Sequence, residues 1–318
     1  MERIGQNKIL YHLDRIKGDQ RPITADIFLN NFCNNRCSFC TYGRWKLESE
    51  NSYMSFEDFI RYAVRLITLG VQGFVLTGGG EPTISRDFDR ICKWLEDNRL
   101  HYGVNTNFNV YHEIAPDYLK ISLDAWDSES YMRIRGVDAY SLVRDNIARY
   151  LRWRNSQGGT TSVGIQKVVE NSSEILDFYS ANHDLGVDYI VFRPMESTCG
   201  NYYCDTARLQ DAQNSIQIIT NLAKKDKRVQ LNYKWLMLDE GEENCPAQWA
   251  QIALNEHGEV MYCCHKPYEI VGHIMDTAIL EKKAAFMTNM ARCDVPCRMT
   301  SVNRIVADIE GISEANFL

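Results

Sequence analysis

The chain has 318 residues, 45% hydrophobic and 24% charged, with a formal net charge of −7. No apolar run approaches the roughly 18 residues of a membrane span, the N-terminus has no apolar export core, and no Lys/Arg cluster offers a phosphate-binding footprint. Membrane, exported and nucleic-acid-binding classes are thereby disfavoured, and a cytoplasmic protein acting on a small molecule or a peptide is expected.

Residues 1–23 read as an N-terminal extension. From 24 to 234 short apolar runs alternate with helical periodicity, the pattern of a parallel sheet with crossover helices. The first strand is expected at 24–30 (TADIFLN), followed at once by the cysteine-rich stretch CNNRCSFC at 33–40. Ser55 then caps a helix that ends at Gly70, with Phe56, Phe59, Ile60, Ala63, Val64 and Ile67 at helical spacing and Asp58 completing a capping box. Next come a strand at 73–77, a helix near 86–98, and strands at 101–106 and 118–125. A helix at 140–154, a strand at 161–169, a helix at 173–186, a strand at 189–195 and a helix at 206–225 follow. Six strand-helix units are fewer than the eight of a closed barrel, so the fold class is α/β, a partial (β/α)6 TIM-like barrel. In 235–318 the rhythm stops. That small C-terminal domain holds Cys245, Cys263, Cys264, Cys293 and Cys297, and a metal staple is expected to compensate for its small core.

Eleven cysteines in a chain with no export signal should stay reduced, so their clustering points to metal or redox chemistry before disulfides. Two metal readings fit Cys33-x3-Cys37-x2-Cys40. A zinc site would need a distant fourth ligand, and structural zinc usually draws on C-x2-C pairs. An iron-sulfur cube fits better, since three thiolates on one tight loop can hold three corners and leave the fourth iron open to a chelating small molecule.

This triplet, placed directly after a first strand and with Phe39 before its last cysteine, resembles the radical S-adenosylmethionine (radical SAM) superfamily. Gly78-Gly79-Gly80-Glu81 resembles the family's Gly-Gly-Glu motif for the methionine amino group; no Gly-Lys-Ser/Thr follows, so it is not a nucleotide P-loop. Ser122 and Arg135-Gly136 resemble the Ser and Arg-Gly positions that touch the methionine carboxylate in related enzymes. Asn105 and Asn107 end the third strand, where family members place polar contacts to the cofactor. All of these fall at strand C-termini, where barrel folds put active sites. The resemblance implies a [4Fe-4S] cluster on Cys33, Cys37 and Cys40. It also implies S-adenosylmethionine bound among Phe39, Gly79, Gly80, Glu81, Asn105, Asn107, Ser122 and Arg135, and a flavodoxin or ferredoxin-type electron donor. Its chemistry would be a 5'-deoxyadenosyl radical that abstracts a substrate hydrogen inside a dry pocket.

Cys245-x12-Gly258-x4-Cys263 resembles the opening of the SPASM and shorter twitch domains that some radical enzymes append. Gly258 allows a tight hairpin that brings the two thiols together, and Cys293-x3-Cys297 can complete four-thiolate ligation. The chain ends too soon for a full seven-cysteine SPASM set, so one auxiliary [4Fe-4S] cluster is expected, used for electron transfer or support. A four-cysteine zinc site is the other reading, and Cys264 competes with Cys263, which the glycine spacing favours. The loop after the sixth strand offers Cys199 or Cys204 as a hydrogen-atom donor and Glu196 or Asp205 as a proton acceptor; plain packing is the alternative for its cysteines. Three functions follow: oxidation of a small polar substrate with the auxiliary cluster as electron acceptor; peptide epimerisation or crosslinking; or a non-enzymatic iron-sulfur or zinc scaffold. The peptide reading is weakened because about 20 residues before the first strand are too few for a separate leader-recognition domain.

Overall fold

Strands whose apolar residues are buried on both faces need cover on both sides, which a parallel sheet obtains from crossover helices on one side and a filled interior on the other. β1 (Thr24–Phe28), β5 (Ser162–Val169) and β6 (Tyr189–Pro194) are of this kind, buried along nearly their whole length. The computed structural model describes residues 15–40, 42, 50–195, 206–236, 245–264, 266–288 and 299–311. Between these strands lie α1 (Phe56–Thr68), β2 (Gly73–Thr77), α2 (Phe88–Asp97), β3 (His101–Thr106), β4 (Tyr118–Ser122), α3 (Ser128–Arg135), α4 (Tyr140–Ser156) and α5 (Glu174–Asn182). After β6 come α6 (Thr206–Lys225), β7 (Val229–Leu231), β8 (Gln251–Leu254), β9 (Glu259–Cys263), β10 (Lys266–His273), α7 (Ile279–Thr288) and α8 (Thr300–Gly311).

The ten strands among the described residues form one sheet in the order β10-β9-β8-β1-β2-β3-β4-β5-β6-β7. Neighbours are parallel from β8 through β7, and only the β8-β9 and β9-β10 pairs are antiparallel. A single cavity is lined from the β1 exit loop through Thr77, Asn105, Ser122 and Gln166 to Arg193 on β6. Six strand ends can share one cavity only if the sheet curls, so β1–β6 form a barrel segment with its mouth at the strand C-termini. Among the described residues, no helix is long and apolar enough to cross a membrane.

Helix α1 shows how the C-terminal region reshapes an expected face. Ser55 caps it by accepting from the Asp58 amide at 3.1 Å. Its fully buried stripe is Phe59, Tyr62, Ala63 and Leu66, whereas Val64 and Ile67 are exposed. Tyr62 is drawn inward because its ring packs beneath the β8–β9 turn and its hydroxyl donates to the His257 carbonyl at 3.2 Å. That turn is the expected hairpin: Gly258 has φ +77°, and β8 and β9 pair antiparallel.

Three departures matter for the site. The fourth strand stops at Ser122 instead of running to Ala125, because Asp124 turns the chain with φ 59°. A short helix, α3, follows that turn, where no element is expected from the sequence; Asp127 caps it by accepting from the Ser130 amide at 2.7 Å. The C-terminal strands continue the sheet: β8 pairs in parallel with β1, Thr24 opposite Gln251 and Ile27 opposite Leu254.

A Cβ on Gly258 would sit 2.4 Å from the Tyr62 ring, while one on Gly158, also at positive φ, would meet nothing within 4 Å. Gly158→Ala is expected to cost only backbone strain, and Gly258→Ala strain plus a steric clash, each strained residue contributing about 1–3 kcal/mol. Thermal melts should therefore show a clearly larger Tm loss for Gly258→Ala; equal losses would contradict this packing.

Candidate active site

The cysteine loop is held by backbone before any metal is considered. The last carbonyls of a helix have no partner within it, and in α3 two of them accept from this loop: Arg36 N donates to Arg135 O at 2.8 Å and Ser38 N to Ile134 O at 3.0 Å. Gly136 permits the approach. It has φ +70°, and a Cβ there would lie 2.8 Å from the Arg36 carbonyl oxygen. Asparagines tie the loop to the end of β3: Asn107 Nδ2 donates to Asn34 Oδ1 at 2.6 Å, and Asn109 Nδ2 to Asn35 Oδ1 at 2.7 Å. Cys33 Sγ accepts from the Asn35 amide at 3.4 Å and lies 3.8 Å from Asn107 Nδ2.

The glycine run binds the loop from the other side. Gly80 N donates to Asn30 O at 3.0 Å and Glu81 N to Phe32 O at 2.8 Å, and a Cβ on Gly80 would fall 2.0 Å from the Phe32 oxygen. The Glu81 carboxylate is committed to the framework. Oε1 accepts from Thr83 N (3.1 Å), Thr83 Oγ1 (2.7 Å) and Thr106 Oγ1 (2.5 Å), while Oε2 accepts from Asn107 N (2.7 Å). It joins the short 3-10 turn Pro82–Ile84 to the end of β3.

Arg135 lies beneath the loop, 5% exposed, paired at 2.9 Å with Asp124, which is fully buried. Its Nη2 donates to the Ser122 carbonyl at 2.7 Å, and Asp124 Oδ1 accepts from Val168 N at 2.6 Å. One ion pair thus joins the ends of β4 and β5 and the C-terminus of α3. Burial pulls the guanidinium pKa down, but the acidic groups beside it, the Cys37 thiol once ionised and the Asp124 carboxylate, more than offset this and raise it, so Arg135 stays a cation. Burial pushes the Cys37 thiol up to about 11 against the opposing pull of Arg135. A bare Cys37 is therefore protonated near neutrality, and metal binding must displace that proton.

Cys33, Cys37, Phe39, Cys40, Gly79, Gly80, Glu81, Asn105, Asn107, Ser122 and Arg135 all line the one cavity. Its volume of about 210 Å³ is many times the ~30 Å³ share of one water, so it suits an organic ligand. Asn105 donates to Thr77 Oγ1 at 3.2 Å, but its Oδ1 is buried with no hydrogen-bond partner, an acceptor suited to a ligand N–H or O–H. Among the described residues, no three His, Cys, Asp or Glu side chains meet around one point as a single metal ion would require. A cluster fits such thiols, because each binds a different iron. Tyr42, Asp124, Gln166, Val168 and Arg193 also line the cavity and escaped the motif reading. Gln166 and Val168 share a face of β5 two residues apart, and that alternation near a strand end is the signal that marks them.

In the second cysteine group, Cys245 leads into the 3-10 turn Pro246–Ala250 and Cys263 ends β9. Gln248 joins the two segments, its amide donating to Cys245 O at 3.0 Å and its Nε2 to Tyr262 O at 2.7 Å. Asn303 Nδ2 lies 3.4 Å from Cys245 Sγ. The Tyr42 hydroxyl donates to the Cys264 carbonyl, linking the cavity wall to this group. The seven described cysteines are all thiols, and Cys92 is buried in the core. Cys293 and Cys297, and the loop candidates Glu196, Cys199, Cys204 and Asp205, lie outside the described residues.

A thiol triplet on the β1 exit loop thus faces a glycine run across one cavity at the mouth of a partial barrel. Residues 27–179 match the family model described as the Radical SAM superfamily, so this segment is a Radical SAM domain. The chain is 30% identical over 176 residues to a probable GTP 3',8-cyclase of Saccharolobus islandicus, covering 52% of this chain and 54% of that protein. A probable GTP 3',8-cyclase of Thermococcus kodakarensis is 32% identical over 143 residues, covering 42% and 45%. The match thus spans about half the length of these curated relatives. Among solved structures, native anSMEcpe with bound AdoMet superposes with TM-score 0.61 at 16% identity, over 84% of this chain and 83% of that one. SuiB of Streptococcus suis bound to precursor peptide SuiA gives TM-score 0.60 at 16% identity, over 81% and 63%. At such identities the likeness is one of fold, an α/β fold with a mostly parallel sheet.

Asp124→Ala would leave the Arg135 guanidinium buried without its partner, a change that costs about 3–5 kcal/mol. A lower Tm together with reduced iron retention after anaerobic purification is expected. Unchanged melting and full iron loading would contradict the role given to this pair.

Proposed function

We propose that the chain is a radical SAM enzyme that cleaves S-adenosylmethionine reductively and abstracts a hydrogen from a small polar substrate, whose remaining electron leaves through an auxiliary cluster. The convergence of Cys33, Cys37 and Cys40 with the partnerless Asn105 Oδ1 in one cavity carries this reading. When bound, a reduced [4Fe-4S] cluster supplies the electron that cleaves the sulfonium, and with it the driving force for hydrogen abstraction.

The chain's own residues have separate tasks. Cys33, Cys37 and Cys40 hold three corners of the cluster, and the lone acceptor of Asn105 takes a cofactor N–H or O–H. Gly79 and Gly80 line the cavity without side chains, leaving room for the ligand. Glu81 and Arg135, whose charged groups are engaged by the protein, act by fixing the loop; Arg193 and Gln166 on the facing strands offer polar groups to cofactor or substrate. Tyr42 connects this wall to the second cysteine group, which supports Cys245, Cys263, Cys293 and Cys297 as ligands of an auxiliary cluster. Thiols throughout the described residues suit a reducing, cytoplasmic setting and a flavodoxin or ferredoxin-type donor. A peptide substrate is the second reading, favoured by the fold neighbour bound to its precursor peptide.

Anaerobically reconstituted protein given dithionite and S-adenosylmethionine is expected to release 5'-deoxyadenosine, and Cys37→Ala to fall to background. Cys245→Ala should lose about four irons and net oxidation while still cleaving S-adenosylmethionine. A Cys245→Ala protein with full turnover and full iron would overturn the auxiliary role. Product mass separates the substrate readings: oxidation yields product two hydrogens lighter, and epimerisation in deuterated water places deuterium on a peptide.

A further inference from the structure

Lys283 on α7 is 1% exposed. Its ammonium donates to the Gln248 carbonyl at 2.8 Å and to the Gln251 carbonyl, and lies 5.6 Å from the centre of the Trp249 ring. Among the described residues no carboxylate pairs with it, although a buried charge is ordinarily paired. The Gln248 carbonyl belongs to the turn that follows Cys245 and the Gln251 carbonyl to the start of β8, and Trp249 packs with Tyr262 and Cys263. Burial pulls the Lys283 pKa down to about 7, and the charges of Cys245 and Cys263 act against that pull. The buried ammonium therefore feels the second thiol group, and among the described residues no other anion answers it.

We propose that Lys283 is the counter-cation of an anionic, thiolate-ligated cluster at Cys245 and Cys263, and that it sets the potential at which this cluster accepts an electron. This rests on the auxiliary-cluster reading above. Four thiolates on a [4Fe-4S] core give a net charge of −2 when oxidised and −3 when reduced. A fixed positive charge stabilises the more negative state more, so Lys283 raises the reduction potential. The same negative charge keeps the ammonium protonated against burial. Lys283 is in this sense a positioning residue that acts through the cluster.

The test uses the full chain, anaerobically reconstituted, with iron and zinc counted and both cluster potentials followed by EPR-monitored titration. Lys283→Met should lower the second potential by at least about 59 mV, a tenfold change in the reduced-to-oxidised ratio for one electron. The first potential should stay in place, and Lys283→Arg should restore the second. A Lys283→Met protein with about eight irons and an unshifted second potential overturns the proposal while the cluster reading stands. Should Lys283→Met fail to load the second cluster, loading by Lys283→Arg supports the need for charge, and failure of both variants shows that shape alone matters and overturns it. Wild-type protein with about four irons, with or without zinc, removes the auxiliary iron-sulfur cluster itself and the proposal with it.

Discussion

The ion pair between Arg135 and Asp124 is the constraint on which the site depends. Two opposite charges with almost no access to water are stable only if their geometry is fixed on all sides, and here each side is a different part of the barrel mouth. Asp124 holds the ends of β4 and β5 together through the Val168 amide, and Arg135 returns to the Ser122 carbonyl. The same residue ends α3, whose terminal carbonyls receive the cysteine loop. The loop that presents Cys37 is thus positioned by a pair that needs no metal.

Much of this was legible in the sequence. The six-unit alternation, the strand positions and the cap at Ser55 rest on local periodicity, and each has its counterpart among the described elements. Motif spacing also located the cavity, since its residues fall at strand ends. What escaped depends on tertiary context. Asp124 sits in a stretch that reads as strand, and its left-handed turn follows from the partner it finds in Arg135. The inner face of α1 is centred on Tyr62 and Leu66 because the β8–β9 turn packs over Tyr62. Glu81 reads as a ligand group by motif, yet four donors from Thr83, Thr106 and Asn107 occupy its carboxylate.

The C-terminal cysteines gain meaning from the sheet. Because β8 pairs with β1, the segment carrying Cys245, Cys263 and Cys264 grows directly from the strand that delivers the first cysteine loop. The Tyr42 contact to Cys264 closes the same distance from the loop side. These two connections are the ones along which the proposed auxiliary cluster would communicate with the cavity.

EPR of the reduced, iron-loaded protein before and after addition of S-adenosylmethionine tests the central claim most directly. A cluster held by only Cys33, Cys37 and Cys40 keeps one iron open to the cofactor, so its spectrum should change on addition. A fully loaded and reduced cluster whose spectrum is indifferent to S-adenosylmethionine would contradict the account.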